Sequence, residues 1–538
     1  MIQQGMVLGI RTVTAGILLV CSAGAAPVDF HVAPGGRDTW SGRLEQANAE
    51  QTDGPLESLH GAQRVVRELT RRDNGLPGPV TVWIHEGAYA LDEPLLLTPE
   101  DRATAETPTT WRARPGDDVV VHGARGVVAW EHWKDGIYRA DLAEQGFRNP
   151  FFHQLFYRGK RQILARYPDF DPDHPRTGGW AHVWEAEKTD SANRYAPHSQ
   201  FTYAPNAIPF DEWDDLSQAQ VVSVYGGGWN TAVTPITEID AEKRVIHFKT
   251  VRRNFYRNNR YYIQNVLGAL DKPGEWFHDR ETDTLYFYPP DREKPADGAV
   301  LAPVVDNLIE TAGTIPYPHG YLNTTHREHR EAYEMPEDAP PRNPVAYITF
   351  RDLSLRYARQ NGFRMEGAVH CQVLGCRITM TGNYGVNLGG VWPGHFEEGN
   401  PRRSEDTGHW GGVAGGGQNL YFNNPCENCR IAGCDVWDLY SDGIFLYGTG
   451  NVAENNHVYN TSQLHKDSTC INLWGEENAA RRNDLHDQPR NAVYLKGIDN
   501  VVEGNHIHHT MLETCDGGAI RMCQRNIHLR GNVIRRNY

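Results

Sequence analysis

The sequence predicts an all-β protein, a right-handed parallel β-helix (a solenoid) that carries an inserted β-rich domain. The first observation behind this is one strand pattern repeated late in the chain. It reads Gly362-Phe363-Arg364-Met365, Gly385-Val386-Asn387-Leu388, Gly443-Ile444-Phe445-Leu446, Cys470-Ile471-Asn472-Leu473, Ala492-Val493-Tyr494-Leu495 and Ala519-Ile520-Arg521-Met522. Its first apolar positions are separated by 23, 58, 27, 22 and 27 residues, and only the 58 is out of step. A unit of about 20 to 50 residues that cannot bury its apolar face alone must stack on copies of itself.

The second observation is a column formed by Cys376, Cys434, Asn456, Asn483, Asn505 and Asn532, each three residues after one apolar residue and two before another. Strand side chains alternate faces, so two columns in register decide which residues point inward. Phe363, Val386, Ile444, Ile471, Val493 and Ile520 then line the core, with Met365, Leu388, Leu446, Leu473, Leu495 and Met522 beside them. A buried Asn column is stable when each amide bonds its neighbour above. The third observation is a run of alternating, aromatic-rich strands with Gly/Pro/Asp turns from about Trp130 to Pro290, which reads as an insertion.

Along the chain, Met1 to Ala25 carries Arg11, an apolar stretch Val13 to Val20 and small residues up to Ala25, the pattern of a signal peptide. Residues 26–125 hold the N-terminal part of the β-helix and its cap. Within them Phe30 to Pro34, Val80 to Ile84 and Val119 to Val121 read as strands and Ser58 to Arg72 as a helix. Residues 126–345 form the inserted domain and a linker whose last part, Thr325 to Pro344, is charged and Pro-rich. The coils fill 346–538, interrupted by the Gly-rich stretch Val391 to Asn424, where His395, Glu397, Glu398 and His409 read as a solvated loop. Tyr538 follows the strand Gly531 to Ile534 with no polar cap, so a C-terminal truncation is expected, with a further catalytic carboxylate beyond it.

At 538 residues and a net charge of -15, the chain is large enough for more than one structural unit and poorly suited to nucleic acid or an acidic membrane surface. After the leader no segment is apolar enough to span a bilayer. A monomer secreted or held in a periplasm is the expectation. Cys371 with Cys376 and Cys429 with Cys434 repeat one gap at one coil position. They therefore read as buried solenoid positions rather than, with Cys426, a zinc knuckle, and Cys426 with Cys429 is a local disulfide candidate. No cofactor and no metal is assigned.

The outward row of the repeat reads Arg364, Asn387, Phe445, Asn472, Tyr494 and Arg521, with Tyr447, Trp474 and Lys496 further along. Rings cover the apolar face of a sugar while amides and cations bond its hydroxyls, so this row predicts a glycan groove. Trp474, Tyr494, Arg521, Lys496, Tyr447 and His465 are the candidate substrate-binding residues.

Loop length locates the chemistry. The connection from one strand to the next inward residue spans 8 residues from Ile378 to Val386, Val436 to Ile444 and Leu485 to Val493, but 13 from Val458 to Ile471 and Ile507 to Ile520. The longer loops bring His465, Lys466 and Asp467, and Glu513 and Asp516; Asp442 joins from a short one. Glycoside hydrolysis needs two carboxyl groups about 5 to 9 Å apart. With coils stacked about 4.8 Å apart, Asp467 and Asp516 are on the order of 10 Å apart and Asp442 lies three coils from Asp516. Asp516 leads as acid or nucleophile, with Asp467, Glu513 and Asp442 in support. His506 and His508 read as solvated strand histidines.

The segments Phe30 to Gly36, Val82 to Tyr89, Gln154 to Tyr157 with Ala165 to Pro168, Asn265 to Phe277 and Leu285 to Pro290 resemble secreted right-handed β-helix glycoside hydrolases. The nearest likeness is to glycoside hydrolase family 141, known for α-fucosidase and xylanase activity. The resemblance implies a glycosidase whose acids lie on the late coils, with Cys515 to Ile520 matching one such place. Two rival readings stand beside it: a polysaccharide lyase with Lys496 or Arg521 as base near a bound Ca²⁺, and a non-catalytic glycan-binding protein.

Overall fold

The computed structural model describes residues 26–72, 75–147, 152–186, 197–252, 255–316, 340–389, 425–522 and 530–538. The leader at 1–25, the interruption at 391–424, residues 325–339 of the linker and Cys523 lie outside the described residues.

Short strands with alternating apolar residues bury one face each, and three such faces close a coil. The described residues form three parallel sheets of 10, 8 and 11 strands, here called the first, second and third. One coil illustrates the path: Ile444–Thr449 lies on the third sheet, Val452–Glu454 on the first, His457–Tyr459 on the second, and Ile471–Glu476 returns to the third. The repeat register is as read from the sequence. Phe363 pairs with Val386, Val386 with Ile444, Ile444 with Ile471, Ile471 with Val493 and Val493 with Ile520. All but Ile520 are fully buried in one continuous core, and Ile520 packs against it. Met522 departs from the expectation. It is 51% exposed, its strand pairing among the described residues with Val493–Ile498 alone.

The polar column is in fact two. Between the third and first sheets run Asn451, Asn478, Asn500 and Asn532, and between the first and second run Asn456, Asn483, Asn505 and Asn537. In each, the Asn Oδ1 accepts the backbone N–H of the Asn one coil earlier, and Cys429 and Cys434 head the two series as donors. Each Nδ2 donates to a carbonyl of the previous coil, as from Asn483 to Ala453 at 3.0 Å. Asn532 thus belongs to the other column, and Ile534 pairs with Val502 on the first sheet. A five-residue gap separates the two corners in every coil, so the pattern looks the same after a five-residue shift. The cysteines at 371, 376, 429 and 434 are buried free thiols in these positions, and Cys426, on the third sheet beside Gly448, is a buried free thiol too, so Cys426 and Cys429 are not bridged. Gly448, Gly475 and Gly497 let adjacent coils approach here: a Cβ on Gly475 would sit 2.1 Å from the Gly448 oxygen.

The N-terminal region begins with strand Val28–Val32, helix Leu59–Arg72 and strand Val80–Ile84. The chain leaves the coils after Val119–His122 and returns at Asn307–Ala312, which pairs with both Leu95–Leu97 and Asn361–Glu366. The solenoid therefore resumes ahead of residue 346. Between these points lie a four-, a five- and a seven-stranded sheet. The seven-stranded sheet has its own core, including Val183, Phe201, Val221, Ile246, Tyr261 and Ile263.

Candidate active site

The loops joining the second sheet to the third share one corner of the solenoid, and the inserted domain leans on it. Arg161 Nη2 donates to the Asp438 carbonyl at 2.7 Å, and Thr231 Oγ1 accepts the Lys466 N–H at 3.1 Å. Between them the corner gathers Asp442, Asp467, Arg490, Asp516 and Arg521, with Trp229 of the insertion over Arg490.

Asp442 is buried at the end of its loop, in register with Thr469 of the next coil. Its Oδ1 accepts the Thr469 N–H and the Thr469 hydroxyl, the latter at 2.8 Å. Burial pushes its carboxyl up to about 7; bonds from Thr469 oppose the rise, the charge of Asp467 adds to it, and a bond from Asn472 also opposes it. Burial also raises the Tyr384 phenol, and the charges of Asp442 and Asp467 act on it in the same direction. Asp467, half-buried, springs from the loop one coil further on. Asn472, beside this pair on the third sheet, has a buried Oδ1 without a hydrogen-bond partner among the described residues.

Arg490 was not anticipated. Its side chain is 1% exposed, its guanidinium stacks 4.4 Å from the Trp229 ring, and Nη2 donates to the Asp516 carbonyl at 2.7 Å. Burial lowers this guanidinium to about 10, Arg521 pushes the same way, and Asp467, Asp516 and Tyr494 oppose. The same column holds Ser441, Ser468 and Gly517 in neighbouring coils, so a large cation among small residues was the signal in the sequence. Trp229 follows Gly226-Gly227-Gly228 at a turn between Gln220–Tyr225 and Asn230–Asp240. Its approach to the coils leaves no trace in sequence spacing.

The other candidates fall in distinct places. Asp516 is solvent-facing, its side chain 62% exposed, with φ +58 and contacts of 3.6 Å to both Arg490 and Arg521. Arg521 also donates to the Asp516 carbonyl at 2.6 Å. Glu513 turns away into an ion-pair clamp, 2.9 Å from Lys466 Nζ and 3.6 Å from Arg260 of the insertion. Burial lowers the Lys466 ammonium, with Glu513 opposing. His465 is buried, its N–H on the Tyr440 carbonyl. On the outward face of the third sheet Phe445 and Trp474 are buried against each other and Tyr384, with Tyr447 and Tyr494 half-buried around them. Lys496 Nζ lies 4.4 Å from the Trp474 ring, so that ring face is already occupied. The corner thus brings together Asp442, Asp467, Asp516, Arg521 and Tyr494, while Glu513 is engaged by Lys466 and Arg260 and His465 is buried.

A solved structure described as a glycoside hydrolase is similar in fold, with a TM-score of 0.58 at 16% identity, over 95% of this chain and 96% of that one. The complex of XylC with xylose aligns with a TM-score of 0.42 at 14% identity, over 90% of this chain and 62% of that one. The GH136 lacto-N-biosidase from Eubacterium ramulus aligns with a TM-score of 0.29 at 10% identity, over 95% and 67%. No family model matches the chain, and no curated protein matches it. At these identities the likeness is one of fold: a parallel β-helix of the kind seen in a glycoside hydrolase, without singling out family 141.

Proposed function

We propose that this chain is an exported glycoside hydrolase acting on plant or algal polysaccharide side chains, with Asp442 and Asp467 as its carboxyl pair. The observation that carries this reading is the buried Asp442 carboxyl, raised to about 7, one coil from Asp467. Adjacent coils stack about 4.8 Å apart, which suits the spacing two glycosidase carboxyls require. The two acids stand in unlike surroundings, and the raised carboxyl of Asp442 suits the part of proton donor. Asp442 gives its proton to the glycosidic oxygen as the C–O bond breaks, Asp467 faces the positive charge developing at the anomeric carbon, and a water then bonds that carbon while its proton returns to the carboxyl pair. Asn472 bonds the Asp442 carboxyl, and Tyr494 and Arg521 border the same corner. The fold shared with a glycoside hydrolase supports this by analogy of architecture alone.

A second reading, a polysaccharide lyase, is favoured by Arg490, whose lowered guanidinium is the kind of group that can take a proton α to a carboxylate. A screen of the full chain against aryl glycosides, cell-wall oligosaccharides and uronate polymers separates the readings. New reducing ends without an unsaturated product, lost in Asp442→Asn, support hydrolysis. An ultraviolet-absorbing unsaturated product supports the lyase, and binding without turnover supports a non-catalytic protein.

A further inference from the structure

A second cluster lies on the outer face of the second sheet. His457 pairs with Asp484 and Tyr459 with His486 on adjacent strands, and these pair in turn with His506 and His508. Residues two apart share a face, so the five ionisable groups project together. His457 Nδ1 is 3.1 Å from the Asp435 carboxylate, and His486 Nδ1 is 2.8 Å from that of Asp487. At His486 the Asp487 carboxylate accepts from Nδ1–H and so leaves Nε2 as a lone pair, whereas at His457 the Asp435 carboxylate lies close without hydrogen-bond geometry. The two Nε2 atoms face each other at 2.8 Å. The His486 lone pair at that distance needs a cation or a proton between the two atoms. One ligand atom from each of His457, Asp484 and His486 falls within 4.8 Å of the others.

Two imidazoles backed by carboxylates, with a third carboxylate beside them, are the donor set of a borderline divalent cation. We propose that His457, Asp484 and His486 bind one zinc-class ion that fastens two successive coils together. The neighbouring set, Asp484, His506 and His508, shares Asp484 but is less prepared: His506 Nδ1 is spent on Asp484 at 3.0 Å, and His508 Nδ1 faces His509 Nδ1 at 2.6 Å. This inference is independent of the glycosidase reading.

The test is calorimetric titration of zinc chloride into the full chain after chelator treatment and dialysis. One ion per chain is expected. Binding is lost in His486→Gln, weakened about 10- to 100-fold in Asp487→Asn, and kept in His508→Gln. His457→Gln is the second ligand variant should His486→Gln fail to fold, with circular dichroism reporting folding. No zinc binding by the wild type, binding that survives both ligand variants, or binding abolished by His508→Gln overturns the proposal.

Discussion

The corners of one coil treat buried polarity in opposite ways. At the two Asn corners four successive coils supply Asn, following the coil of Cys429 and Cys434, so the amides find their partners in the residues stacked on them. At the loop corner successive coils supply Asp442, Asp467 with Thr469, Arg490 with Asn491, and Asp516 with Gly518, and apart from Ser441 on Ser468 the side chains change from coil to coil. Repetition satisfies polar groups and makes a column inert. Broken repetition leaves a raised carboxyl at Asp442, a depressed guanidinium at Arg490 and an unbonded oxygen on Asn472, the perturbed groups expected where chemistry occurs.

The sharpest way to break this contrast is Asp442→Asn, which should lower turnover by about 10²- to 10⁴-fold, measured as reducing ends released. The same variant has a stability signature. A carboxyl raised from its ordinary value to about 7 holds its proton in the folded chain but not in the unfolded one across that window. Stability from this group is therefore complete below the ordinary Asp range and lost as pH rises through about 7. Asp442→Asn should flatten that part of the Tm-versus-pH curve; Glu275, raised to about 8 by burial, contributes a separate fall that persists in the variant.

Glu513→Gln comes next. It strips the buried Lys466 of its partner and should cost about 3 to 5 kcal/mol in denaturant unfolding. Asn483→Ala should cost about 2 kcal/mol or more, because the Oδ1 that serves both Asn456 N–H groups disappears from a buried column. Asp516→Asn is the smallest. The side chain is solvent-facing and Asn tolerates its left-handed backbone, so unfolding should change by less than about 0.5 kcal/mol. Turnover lost on Asp516→Asn as fully as on Asp442→Asn would move the site toward the chain's end.

Much of the fold was legible because a solenoid writes its register into the chain. The inner row from Phe363 to Val493 is read off directly, and so is the corner where loops lengthen. Asn532 slipped because both Asn corners obey one five-residue gap, which sequence cannot distinguish. The burial of each acid was less legible, since loop length marks where a carboxyl sits but not whether it is buried. Asp516 occupies a long loop yet faces solvent, while Asp442 occupies a short loop and lies under Thr469. Glu513 carries the right chemistry in the right loop, but Arg260 arrives from the insertion, distant in sequence, and claims it as an ion pair. Trp229 reaches Arg490 by the same route.

The most direct measurement is the pH dependence of kcat/KM for the wild type, Asp442→Asn and Asp467→Asn on a substrate found in the screen. The wild type should lose activity as pH rises through about 7, the limb should shift to lower pH in whatever activity Asp467→Asn retains, and Asp442→Asn should have no such limb. A limb that stays in place in Asp442→Asn would contradict the assignment of Asp442 as the acid.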